Sequence, residues 1–78
     1  FEALPPSSLD DAIRNYEKSQ KLNPGFLLNY LELARSYRRN GEKERAVQQL
    51  QTMLKMPIVT SDDATIKQKG NELLAQLR

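Results

Sequence analysis

Asp10 with Asp11, Asp62 with Asp63, and one arginine-rich stretch are the groupings in this 78-residue chain whose types and spacing invite a chemical reading. Paired carboxylates can supply a general acid and a general base. Each pair, however, stands where a helix is expected to begin, and unsatisfied N–H groups and the helix dipole favour negative charge there. Capping accounts for both pairs without catalysis. The chain has no Cys and no His, which removes disulfides, thiolate nucleophiles, imidazole bases and the common zinc and copper ligand sets. Gly25, Gly41 and Gly70 are scattered along the sequence, so no glycine-rich loop cradles a phosphate. The expectation is a protein that is not an enzyme and uses no cofactor and no metal.

The arginine-rich stretch is more informative. Arg35, Arg38, Arg39, Lys43 and Arg45 stand against Glu42 and Glu44, a local net charge of +3 in a chain whose total is +2. Such a cluster has a bland reading, a solvated helix end whose charges match the dipole, and a sharper one, a surface for acidic groups. A total of +2 is weak for nucleic acid, and Tyr30 and Tyr37 fall on a packing stripe where bases could not stack on them. No nucleic-acid partner is expected.

Four helices must position these residues. The chain is 38% apolar and 28% charged, and no apolar run nears the ~18 residues of a membrane span; no membrane contact is expected from this segment. Pro5 and Pro6 predict a leading loop over residues 1–8. Ser8 with Asp11 then reads as a capping box, opening a helix with Leu9, Ala12, Ile13, Tyr16, Ser19 and Leu22 on one face. A second helix, about 25–40, carries Phe26, Tyr30, Leu33, Ala34 and Tyr37 as its stripe. Leu27, Leu28 and Leu31 widen that stripe enough to demand neighbours on two sides. Asn40 and Gly41 supply a left-handed stop. The third helix, about 42–56, presents Ala46, Val47, Leu50, Met53 and Leu54, and its small Ala46 facing Ala34 allows the two axes to approach closely. Thr60 with Asp63 caps the fourth, which runs to about Leu77. Gly70 inside it costs roughly 1 kcal/mol relative to Ala and implies a close approach by the third helix.

These elements repeat. Ala12, Tyr16 and Ser19 recur as Ala46, Leu50 and Met53 at an offset of 34, a period of the tetratricopeptide class built from helix pairs. Tyr30, Leu33, Ala34, Tyr37, Ala46 and Leu50 resemble that family's packing positions, although Pro57 arrives one residue earlier than Pro24 does. Ile66, Gly70 and Leu73 reproduce the spacing of Tyr30, Ala34 and Tyr37. The predicted architecture is all-α: antiparallel helix pairs stacked as a short right-handed solenoid. It comprises a trailing half-repeat over 9–24, a full repeat over 25–57 and a capping helix over 60–78. Since Phe1 opens the chain, a longer parent protein is expected. The half-repeat would leave Leu9, Ile13 and Tyr16 open, to be covered by Phe1 and Leu4 or, by the stronger expectation, through self-association.

A narrower resemblance lies in Pro5, Pro6 and Ser8, then Asn23, Pro24, Gly25 and Phe26, then Asp62 and Asp63. These features are similar to the C-terminal part of the regulator of microtubule dynamics family, and they are mostly capping and packing residues. In the tetratricopeptide class the leading helix of each pair lines a concave groove, which implies Leu28, Leu31, Arg35, Arg38 and Arg39 as the partner-binding set. The family resemblance implies a cytoplasmic protein associated with microtubules or the spindle, its groove taking an acidic peptide such as a tubulin tail. A generic scaffold or co-chaperone-like repeat domain is the alternative.

Overall fold

The computed structural model describes residues 6–77. It contains four helices and, among the described residues, no strand: α1 (Pro6–Leu22), α2 (Leu27–Arg39), α3 (Lys43–Leu54) and α4 (Ser61–Leu77). None of them is long and apolar enough to cross a membrane. The helix α1 opens at Pro6 and so takes in the last three residues of the predicted leading loop. Proline suits a first helical position because the N–H it lacks would have no partner there anyway. Ser8 therefore lies within the helix, and Asp10 and Asp11 fall beyond the first turn. Asp11 pairs instead with Arg14, one turn along an exposed face.

The helix α2 is central, packing on α1, α3 and α4, while α3 also packs on α4. Its width of apolar surface is used: Leu27, Leu31, Leu33, Ala34 and Tyr37 are all buried. Phe26, expected on this stripe, precedes the helix and is 46% exposed. The Pro24–Gly25 turn is tied down by Tyr30, whose hydroxyl donates to the Pro24 carbonyl at 2.7 Å. At the other end Gly41 takes φ +77°, with its N–H on the Arg38 carbonyl at 3.1 Å and that of Glu42 on the Tyr37 carbonyl at 2.8 Å. This 5→2 and 6→1 pair satisfies carbonyls that the helix end would otherwise leave open.

Ala34 of α2 and Ala46 of α3 are fully buried, and Leu33, Leu50 and Met53 are fully buried in the same core. Gly70 of α4 is buried against α3: a Cβ there would meet Met53 Cε, the flexible end of that side chain, which would have to shift. Asp63 caps α4, but the roles in the expected box are changed. Its carboxylate accepts from the backbone N–H of Val59 at 2.8 Å and of Thr60 at 3.0 Å, and from the Thr60 hydroxyl at 3.0 Å. Those N–H bonds, first of all, hold the Asp63 carboxyl below its ordinary range.

Ile13 is buried, and Leu9 and Tyr16 pack partly buried against the same core. The face expected to stand open on α1 is thus largely covered by its own chain; Phe1 and Leu4 lie outside the described residues. The large apolar side chains that remain exposed include Leu22, Ile58 and Val59, together with Phe26. They sit in or beside the α1–α2 and α3–α4 connections, which alternating helix direction brings to one end of the bundle.

Candidate functional site

Arg35, Arg38 and Arg39 occupy the exposed side of the last turns of α2, because its other side is committed to Leu33, Ala34 and Tyr37. Two helices along, α4 presents Lys69, Glu72 and Gln76 at three-and-four spacing. These six side chains line a cleft of about 610 Å³. Leu73, buried at its base, forms an apolar floor.

Two of the arginines are held. Arg35 Nη1 lies 2.7 Å from Glu32 Oε1, and Arg38 Nη1 donates to Gln76 Oε1 at 3.0 Å across the cleft. Arg39 and Lys69 form no ion pair among the described residues. With Arg35 paired to Glu32, the charges of Arg38, Arg39 and Lys69 against Glu72 leave the lining positive, and because both walls are solvated their charge acts on a ligand at the rim, within a Debye length of about 8 Å. Guanidiniums on one wall suit bidentate capture of carboxylates, and an ammonium on the other adds a point charge.

The arginine-rich stretch is therefore divided by the fold. Arg45 lies over the Tyr37 ring, 5.8 Å from its centroid, and 3.5 Å from Glu42. A second hollow, over Gly41–Arg45, holds Lys43 and Arg45 against Glu42 and Glu44, so its charge cancels. Leu31, predicted to bind the partner, is 1% exposed and belongs to the core; the α2 stripe is wide enough to take it inward. Leu28 is exposed but lies outside the cleft lining. Arg35, Arg38 and Arg39 are the predicted groove residues that the structure brings together.

The residues predicted to pack the repeats lie as follows. Tyr30, Leu33, Ala34, Tyr37, Ala46, Leu50 and Gly70 are buried, while Ala12 and Tyr16 are half-buried. Tyr37 also donates its hydroxyl to Glu17 Oε2 at 2.5 Å. Burial, reinforced by Glu17, pushes this phenol up from 10.0 to about 12. It stays protonated and serves as a clasp between α1 and α2. No group of carboxylates among the described residues is arranged to hold a metal ion.

Lys69, Glu72 and Gln76 escaped the sequence reading because α4 reads as a cap, with attention drawn to its Gly70. Their signal was present as a polar stripe directly beside Gly70 and Leu73, the residues that face inward.

Residues 1–78 match the family described as Regulator of microtubule dynamics protein 1-3. Among curated proteins, the chain is 28% identical to Regulator of microtubule dynamics protein 2 of Mus musculus and of Homo sapiens, and 29% identical to that of Rattus norvegicus. Each match takes in 100% of this chain and 19% of the relative. The chain thus spans about a fifth of the length of the curated relatives it matches. No solved structure matches it significantly.

Proposed function

The chain belongs to the Regulator of microtubule dynamics protein 1-3 family, and on that premise we propose that it is a non-catalytic protein-interaction module of tetratricopeptide type that binds an acidic peptide or tail. The α2–α4 cleft is the binding surface, with Arg38, Arg39 and Lys69 supplying charge from two walls. An acidic tubulin tail is the ligand that joins this chemistry to the family's name, and a cytoplasmic site of action on microtubules follows from it. One observation carries the reading: Arg38, Arg39 and Lys69, from two helices and without a carboxylate ion-pair partner among the described residues, converge on one cleft, while Arg35 is paired with Glu32 and Arg45 with Glu42.

The test is co-sedimentation of the longer protein with microtubules. Reversing Arg35, Arg38 and Arg39 to Glu, with helicity preserved by circular dichroism, should abolish pelleting, and added salt should weaken the unaltered protein. Unchanged pelleting of the reversed variant would show that the arginines are only a solvated helix end.

A further inference from the structure

Glu72 is a carboxylate in a cleft that otherwise attracts carboxylates. It is exposed on the α4 wall among Arg35, Arg38, Arg39 and Lys69, and it forms no ion pair among the described residues. Along α4 it lies between Lys69 and Gln76, and Gln76 already accepts from Arg38 at 3.0 Å. The positive lining is consequently interrupted. Guanidiniums occupy one wall, an ammonium stands one turn away on the other, and a fixed negative charge lies between that ammonium and the Arg38–Gln76 bridge.

Resting on the acidic-ligand reading above, we infer that Glu72 is a specificity-determining residue: it selects ligands whose charge is spread over several carboxylates and disfavours a compact phosphate. A phosphoserine concentrates about −1.5 to −2 on one group at neutral pH. Seated where it would reach the arginines, that group shares the cleft with Glu72, and repulsion grows with the charge it carries. Glutamates of an extended peptide each carry a single charge and can straddle Glu72. One meets Arg39, another meets Lys69, and the methylenes between them rest near Leu73. Specificity of this kind comes from the repulsive element as much as from the attractive ones.

The experiment measures fluorescence anisotropy of the 78-residue chain with two peptides matched at a net charge of about −4, one built from glutamates and one from phosphoserines. The unaltered chain should favour the glutamate peptide by about threefold. Glu72→Gln should strengthen the phosphopeptide by about fivefold and the glutamate peptide by about twofold, closing the gap, while Glu72→Asp keeps the preference. A preference for the phosphopeptide, or a ratio unmoved by Glu72→Gln, overturns the inference even where Arg38→Glu with Arg39→Glu abolishes binding of both peptides. If that double reversal leaves both affinities unchanged, the acidic-ligand reading itself falls and takes this inference with it.

Discussion

The helix α2 makes two unlike seams, one with α3 and one with α4. Toward α3 the seam is closed: Ala34 and Ala46 are both fully buried, and the connection between the helices is closed by Gly41 in a left-handed conformation. Small residues bring the axes together and leave no room for water. Toward α4 the same helix presents Arg35, Arg38 and Arg39, side chains too long and too strongly hydrated to be buried without partners. That seam closes only at Leu73 and then opens into a cleft. Side-chain size and charge on successive faces of one helix thus decide where it packs and where it can bind.

The largest effect should come from damaging the closed seam. Leu50 is fully buried, so Leu50→Ala should cost about 2 to 5 kcal/mol, read by denaturant unfolding, with ligand affinity unchanged in whatever fraction stays folded. Next, Arg38→Glu with Arg39→Glu attacks the open seam. We expect at least about tenfold weaker binding of an acidic peptide, on the order of 1.4 kcal/mol, with stability moved by no more than about 0.5 kcal/mol. Equal losses of stability in the two experiments would erase the distinction between the seams.

Gly70→Ala sharpens the comparison where α4 meets α3. It gains about 1 kcal/mol of helix propensity, but its methyl would force the end of the fully buried Met53 side chain to shift, and overpacking costs about 1 to 3 kcal/mol. A net loss of about 1 kcal/mol is expected, and Met53→Ala should convert it to a gain in a double-mutant cycle.

The smallest effects are those of pH. Asp63 has a folded-state pKa below its unfolded one, so its stabilisation is present above the ordinary carboxylate range and is lost as pH falls through the depressed value. Asp63→Asn should flatten that acid limb. Tyr37 runs the opposite way: raised to about 12, it contributes stability below its unfolded value of 10.0 that is lost as pH climbs from there toward about 12. Tyr37→Phe should remove this alkaline limb, with melting temperature against pH as the measurement.

Much of this was legible beforehand because packing signals are periodic. Ala34, Ala46, Gly70 and the wide apolar face of α2 each announced a neighbour, and four helices followed. Boundaries were less legible: Pro6 breaks a helix in its interior yet suits a first turn, and the sequence does not say which case applies. The site was half visible. Arg35, Arg38 and Arg39 are close in sequence, but the α4 wall is separated from them by all of α3, and a compositional cluster cannot reveal its partner across such a gap. The same cluster misled in Arg45, whose ring and carboxylate partners are set by the turn at Gly41. Leu31 shows the matching error inside the core, because a helix flanked on both sides has little outward apolar face left.

Because the two walls of the cleft belong to helices that are not consecutive, the site exists only while α4 is docked. A local opening that detached α4 from α3 and α2, short of global unfolding, would dismantle the proposed binding surface. Thermodynamic linkage then works in both directions. A ligand at 100 times its dissociation constant adds about 2.7 kcal/mol to the docked state, so amide protons of α4 should exchange more slowly in its presence while those at the centre of α2 and α3 change little. Whatever loosens α4, including the cap at Asp63, becomes a control on affinity exerted from the far end of the helix.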